Sequence, residues 1–438
     1  MQVVGIVAEY DPFHTGHAYQ IARTRAELGE DAPVVAVMSG CWVQGGRCAA
    51  ADKWTRSRLA LTGGVDLVLE LPTVWAVSSA ETFAQGAVGV LAASGVVDVL
   101  SFGSECGAAD RLRQVAECLN SPAYEAGVRR FVDEGMPFAA ARQEVVRGIL
   151  GPECSALLST PNNNLGVEYL RALDRLGSPI RPVTVRREGA PHDSLLAGAA
   201  RPEFLSATQL RAFLEAEDWQ AAEPYLPGSG LELLRGGWRG MPGLWRAERG
   251  LLARLRTMTA GDWAVLPDSG AAEGLPPRLE RAGKRCRSLE EFFQLAKPRH
   301  WTQARMRRLL VWAFLGLTRA DRPDAPPYLR VLGFNARGQE LLKAMKGRAA
   351  LPVLTKPAHA GRLEEPGRRL FALEARCTDL YDLCLPEVPV PGPPGRYGCE
   401  EGDRWRDEWE GVPLPGAPPW SCPPCWSCCL RRGNGTGP

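Results

Sequence analysis

Four short apolar runs in the first hundred residues, each parted from the next by a stretch of helical character, constrain this chain more than anything else in it. Residues 3–8, 33–38, 66–71 and 96–102 are apolar almost throughout rather than at alternate positions. A strand of that kind is covered on both faces, as the strands of a parallel sheet are. The intervening stretches, from Gly16 onward, 52–61 and 77–91, read as helices, and Pro72 ends the third run. The expected fold class is α/β, a doubly wound, Rossmann-like parallel sheet with helices on both faces. Such sheets take ligands at the carboxyl ends of their strands. Those ends are Ala8-Glu9-Tyr10, Met38-Ser39-Gly40, Leu71-Pro72 and Phe102-Gly103-Ser104. A helical region over about 109–151 precedes Pro161-Asn162-Asn163-Asn164, a helix start at Gly166 and a fifth strand over 180–185.

At 438 residues the chain has room for two or three domains. Past residue 215 the alternation gives way to helices rich in Arg and Trp and loops rich in Gly and Pro. A first domain over 1–215 and a mostly helical second domain over 216–385 are therefore expected. Residues 386–438, rich in Pro, Gly and Cys, read as a poorly ordered tail. The 52 basic and 50 acidic residues leave a net charge of +2, so attraction to nucleic acid must come from local clustering. The most apolar stretch, 83–100, is broken by Gln85, glycines and Asp98, and no membrane span is expected. Met1-Gln2-Val3-Val4-Gly5 carries no basic leader, so a soluble cytoplasmic protein is the expectation. Of the 13 cysteines, six fall from Cys384 onward, and in a reduced compartment no disulfide framework is expected. Cys422, Cys425, Cys428 and Cys429 crowd into eight residues, unlike the separated pairs of zinc sites, and no metal site is expected.

One turn carries chemistry. The first strand runs out into Glu9-Tyr10-Asp11-Pro12-Phe13-His14-Thr15-Gly16-His17, with Pro12 and Gly16 setting a turn into a helix. The spacing of His14 and His17 puts both imidazoles on one face of a first helical turn. The unpaired N–H groups and positive dipole end of a helix amino terminus make a ready phosphate site. Imidazoles aimed there donate hydrogen bonds to a phosphoryl oxygen as charge grows in a transition state. The plainer alternative is that both histidines are ordinary helix caps. A zinc role lacks further ligands nearby.

Residues 8–17 resemble the HxGH signature of the nucleotidylyltransferase superfamily, which shares adenylation chemistry with HIGH-type aminoacyl-tRNA synthetases. More narrowly, they resemble the bacterial tRNA(Met) cytidine acetate ligase family. The resemblance continues in order through Val37-Met38-Ser39-Gly40, Asp52-Lys53-Trp54, residues 64–72, and Ser101-Phe102-Gly103-Ser104-Glu105. It goes on through Pro161-Asn162-Asn163 with Leu165-Gly166, then Ser206-Ala207-Thr208 with Arg211. It spans residues 1 to about 385 and is strongest before 215. It implies an ATP-dependent ligase on a HIGH-type nucleotidyltransferase fold. Such an enzyme activates acetate as acetyl-adenylate and passes acetyl to N4 of the wobble cytidine of elongator tRNA(Met), releasing AMP and pyrophosphate. Mg²⁺ is expected on the phosphates.

By the same resemblance His14 and His17 are the catalytic pair. The ATP-binding positions fall on Val7 and Ala8, through Glu9, Tyr10, Asp11, Pro12, Phe13, His14, Thr15, Gly16 and His17, to Ala18, Tyr19 and Gln20. Gly103, Asn162 and Arg187 complete them, with adjacent Arg186 leaving that register open by one. Gly103 would let backbone approach the nucleotide, or is a simple turn glycine. Asn162 would meet an adenine or ribose edge, or caps a helix. Lys53 is a candidate cation for the phosphates, or a solvated helix-face lysine. Ser206 and Arg211 resemble the superfamily's second phosphate-contacting motif, and Ser206 is also a candidate N-cap. The chain departs from the family pattern at Gly45, where arginine is usual, and at Arg47, where an acid is usual. Asp11 replaces the common asparagine and adds negative charge beside a phosphate site.

Residues 278–308 hold Arg278, Arg281, Lys284, Arg285, Arg287, Lys297, Arg299, Arg305, Arg307 and Arg308 against Glu280, Glu290 and Glu291. His300 and Trp301 sit among them and could stack on bases. Arg305, Arg307 and Arg308 are expected phosphate or tRNA contacts, with a solvated basic helix face as the alternative. Two other functions fit part of the pattern. A small-molecule nucleotidylyltransferase of coenzyme synthesis would use the same histidines without the basic stretch. A catalytically inactive RNA-binding relative would tolerate glycine at 45.

Overall fold

The computed structural model describes residues 1–187, 204–296 and 301–389. Each expected apolar run becomes a strand within a few residues: β1 Val4–Ala8, β2 Val34–Ser39, and, after the small hairpin of β3 Trp42–Val43 and β4 Arg47–Cys48, β5 Leu67–Leu71, β6 Val99–Ser104 and β7 Arg181–Arg186. These five pair in parallel, β7-β6-β1-β2-β5. All of β2 and β5 is buried, which is why their sequences do not alternate. Helices α1 Thr15–Leu28, α2 Lys53–Thr62, α3 Thr73–Ala76 and α4 Ala80–Ala93 link the strands. Asp52 caps α2 by accepting from Trp54 and Thr55 N–H. The helix expected over 77–91 starts three residues later because Ser79 caps it through Thr82 N–H. The helix expected from Gly166 starts earlier, as Pro161–Arg175, with Pro161 in its first turn.

The sheet is mixed rather than purely parallel. β8 Leu329–Phe334 pairs antiparallel with β5, and β9 Val353–Leu354 extends it. Both strands come from the portion expected to be a separate helical domain, so a boundary at 215 does not part the sheet from the helices. The physical reason is the edge of β5: a strand buried on both faces cannot leave its N–H and C=O groups unpaired. The described residues all fall within one compact unit. The described residues between 204 and 328 are helical, as expected, apart from loops. Among the described residues no helix is long and apolar enough to cross a membrane. The cysteine-rich tail lies outside the described residues.

Candidate active site

The site forms where β1 ends and α1 begins. His14 is the N-cap of α1, in extended conformation, and its Nδ1 accepts the Gly16 N–H at 3.0 Å. His17, one turn on, turns its own Nδ1 back to accept the His14 N–H at 3.2 Å. The two imidazoles thus make a reciprocal capping box, a task usually done by Ser and Glu. A Cβ at Gly16 would stand 2.8 Å from His14 Cε1, so that position has no room for a side chain. Ring centroids lie 3.9 Å apart at 34°. Because each Nδ1 accepts a backbone N–H, each neutral ring carries its proton on Nε2. Burial, then Arg187 and Arg211, push the His14 pKa down to about 3. Burial, His14 and Arg187 hold His17 well below its usual value. Both rings are therefore neutral hydrogen-bond donors at physiological pH. The capping offered by the sequence is thus observed, and it leaves both Nε2–H groups available to a ligand.

A crevice opens over these rings, lined also by Gly16, Tyr19, Gln20, Gly103, Val185, Arg186, Arg187, Phe204 and Leu205. It lies at the carboxyl ends of β6 and β7, as a doubly wound sheet requires. Arg186 and Arg187 are both on its wall, so the open register becomes two neighbouring cations. Gly103 makes room for Arg187, whose Cγ would lie 3.3 Å from an added Cβ. Asn162 is no N-cap, since Thr160 holds that position. Its Nδ2 and N–H donate to Glu105 Oε1 at 2.7 and 3.1 Å, and its Oδ1 accepts from Arg187 at 3.4 Å. Glu105 also accepts the Asn163 N–H, so a carboxylate already occupies that helix amino terminus. Asn162 therefore steadies Arg187 and is not among the residues lining the crevice.

Of the other turn residues, Val7, Ala8, Glu9, Tyr10, Asp11, Pro12, Phe13, Thr15 and Ala18 do not line the crevice. They support it. Glu9 Oε1 accepts the Gln44 N–H at 2.6 Å and ties the β3–β4 hairpin to the turn. Tyr10, with φ 44°, is buried against Phe13 and His17. Phe13 packs where a Cβ on Gly63 would stand 2.1 Å from its ring. Nothing in the sequence singles out Arg56. Fully buried, it donates to the carbonyls of Ala51, Glu9, Ser39 and Gly40, clamping the ends of β1 and β2 together.

Lys53 departs from both of its expected settings, while Ser206, Arg211 and the arginines at 305, 307 and 308 have partners within the chain. Lys53 neither reaches a phosphate nor lies in solvent. It is 1% exposed, with Nζ 2.6 Å from Glu70, which also faces Arg330 at 3.3 Å. A buried ammonium needs an anion beside it, and β5 supplies one. Ser206 caps the Ala207–Glu215 helix in a capping box with Gln209 and is buried. Arg211 donates to the Asp11 carbonyl at 3.0 Å and to Thr208 Oγ1 at 2.8 Å, bracing the turn from behind. Arg305, Arg307 and Arg308 are half-buried and engaged within the chain. Arg305 stacks on Trp301 at 3.5 Å and donates to Asp268 O, Arg307 donates to Gly45 O at 3.0 Å, and Arg308 faces Asp268 at 3.6 Å. Arg281, Lys284, Arg285 and Arg287 are the exposed members of that stretch, while Lys297, Arg299 and His300 lie outside the described residues. Among the described residues no group of three or more His, Cys, Asp or Glu could hold a metal, and the crevice wall has no carboxylate.

This fold and its paired histidines define a nucleotidyltransferase of the HIGH type. The HIGH Nucleotidyl Transferase family pattern matches residues 1–390. The tRNA(Met) cytidine acetate ligase of Thermoanaerobacter sp. (strain X514) is 34% identical over 400 residues, 90% of this chain and 98% of that protein. That of Caldanaerobacter subterraneus subsp. tengcongensis is 36% identical over 397 residues, 89% and 97% of the two. The crystal structure of Thermotoga maritima TmcAL (apo, form I) matches with a TM-score of 0.82 and 31% identity over 89% of this chain and 96% of that one. The same enzyme bound with alpha-thio ATP (form II) gives 0.79 and 32% over the same shares. The chain belongs to the tRNA(Met) cytidine acetate ligase family of HIGH nucleotidyl transferases, and it is a ligase.

Proposed function

We propose that this ligase condenses acetate with ATP to acetyl-adenylate and then transfers acetyl to N4 of the wobble cytidine of elongator tRNA(Met) in the cytoplasm. The observation that carries the reading is the capping box of His14 and His17. It commits both Nδ1 atoms to the backbone and leaves two neutral Nε2–H donors at a crevice walled by Arg186 and Arg187. An acetate oxygen attacks the α-phosphorus and pyrophosphate leaves. Charge accumulates on the phosphoryl oxygens, and fixed neutral donors stabilise it without giving up a proton. The two arginines are the cations available to the departing pyrophosphate. The cytidine amine then attacks the acetyl carbonyl, loses a proton to form the amide, and expels AMP. An unpaired anticodon base can reach the anhydride without opening a duplex. The relative bound with alpha-thio ATP supports ATP as the substrate. Magnesium expected with the triphosphate would have phosphate oxygens and water as ligands, since the described wall offers it no carboxylate. The portion over 216–385, with Arg281, Lys284 and Arg285 exposed, is the part proposed to hold the RNA.

ATP–pyrophosphate exchange that requires acetate, followed by mass analysis of tRNA nucleosides after incubation with labelled acetate, tests both halves. Exchange driven by a different carboxylate or phosphate ester, or label absent from cytidine, overturns the proposal.

A further inference from the structure

Two of the three departures from the family pattern, Asp11 in the turn and Arg47 in the hairpin, meet in space. Asp11 is 2% exposed, and its carboxylate binds Arg47 directly. Its other oxygen accepts the Ala50 N–H at 2.5 Å, so both β4 and the segment just after it are held to the turn. Arg211 approaches the same carboxylate at 3.4 Å and the Asp11 carbonyl at 3.0 Å. The anion thus joins three separate pieces of chain: the turn, the hairpin, and the Ala207–Glu215 helix. Three residues further on stands His14, whose position fixes both imidazoles. Burial works against ionisation of Asp11, yet Arg47, Arg211 and Arg56 outweigh it and hold the pKa at about 2.

We infer that Asp11 and Arg47 are a positioning pair, acting together to set the angle at which His14 and His17 present their Nε2 protons to the α-phosphate. The inference rests on the adenylation reading of the crevice. Arg47 therefore does not replace the arginine missing at Gly45 as a phosphate ligand. It faces the turn, and its loss is felt as misaimed histidines. Electrostatics gives the pair a signature that packing alone would not. Replacing Arg47 by Gln leaves Asp11 with Arg211 in contact and the field of Arg56. Arg47→Glu sets a second carboxylate against the same two arginines. Asp11→Asn leaves two arginines with no anion between them. Combining Asp11→Asn with Arg47→Glu restores one anion facing Arg211, with a carboxamide still able to accept the Ala50 N–H.

The test uses the full chain and reads kcat and the ATP KM of acetate-dependent exchange separately, alongside thermal unfolding. R47Q is expected to lower kcat about tenfold and R47E about a hundredfold, the scale of a small misplacement of reacting groups, with KM changed by less than about threefold. D11N/R47E is expected to recover to within about fivefold of the parent, although D11N alone also loses activity. Losses in the double variant equal to the product of the singles, or kcat losses that only track the unfolded fraction, overturn the pair. A second readout needs no activity: the ¹⁵N shifts of His14 and His17. Both rings should report protonated Nε2 in the parent, mixed tautomers in R47E, and protonated Nε2 again in D11N/R47E. Unchanged tautomers in R47E overturn the inference. A parent protein with the expected tautomers but no acetate-dependent exchange would sink the adenylation reading and leave the pair standing.

Discussion

The turn at residues 9–17 and the basic stretch at 278–308 were both singled out by side-chain type, yet only at the turn does the spacing itself fix where the described side chains point. His14 and His17 hydrogen-bond to the backbone that carries them, so three residues of spacing fix their direction. Ten charges along helices and loops carry no such tether, since a helix points its residues all round. Arg305, Arg307 and Arg308 found nearer partners in Asp268, Glu273 and Gly45 and became internal ties. A motif that bonds to its own backbone is legible from sequence. A local excess of charge is legible only as an excess.

The comparison breaks most visibly at the turn. His17→Ala should cut acetate-dependent exchange by about 10²–10³-fold, the cost of one oxyanion donor, while tRNA affinity stays within about twofold. Equal loss of both would make the histidine a cap and nothing more. Next, Arg308→Met should lower unfolding free energy by about 2–3 kcal/mol in a denaturant titration, because Asp268 loses its largely buried partner. If instead tRNA binding falls with stability unchanged, Arg308 faces RNA after all. The triple replacement of Arg281, Lys284 and Arg285 by Ala should weaken tRNA binding and flatten its log–log salt slope by about 2, with exchange intact. An unchanged slope moves the RNA surface elsewhere.

The smallest expected effect is a null one. With both rings already neutral, kcat for exchange should show no titration near pH 6.5, and an acid limb there would mean that an imidazolium acts. Stability behaves differently. The His14 pKa is about 3 in the folded chain and near 6.5 when unfolded. Between those values the unfolded state binds a proton that the native state refuses. Stability from this group is thus complete above pH 6.5 and falls, by up to about 1.4 kcal/mol per pH unit, as pH drops toward 3. Equilibrium unfolding at pH 7 and 5 checks the sign.

Four strands of the sheet were visible because buried parallel strands have continuous apolar sequences, while β7, at the sheet edge and only partly buried, was read from a shorter and less apolar run. β8 was not, because Arg330 interrupts it and its partner Glu70 lies far back along the chain. Lys53 was misplaced for the same reason: its neighbour is known only once β5 is folded beside α2. Asp11 and Arg47 were each legible as a departure, the one adding charge and the other removing an acid. Only the fold shows that they are partners. What the sequence withheld were pairings across distance. What it displayed were periodicity and contacts within one turn.

The antiparallel strand β8 also sets a schedule for the ribosome. Every described residue that lines the crevice, from His14 to Leu205, has emerged long before residue 329 is added. Until then β5 has no neighbour on its outer side, and Glu70 faces Lys53 without Arg330. A nascent chain at that stage carries a complete motif on an unfinished platform, with an open strand able to recruit other polypeptides. Cutting the gene after codon 215 would reproduce that intermediate permanently, so a minimal catalytic fragment must include the late strand.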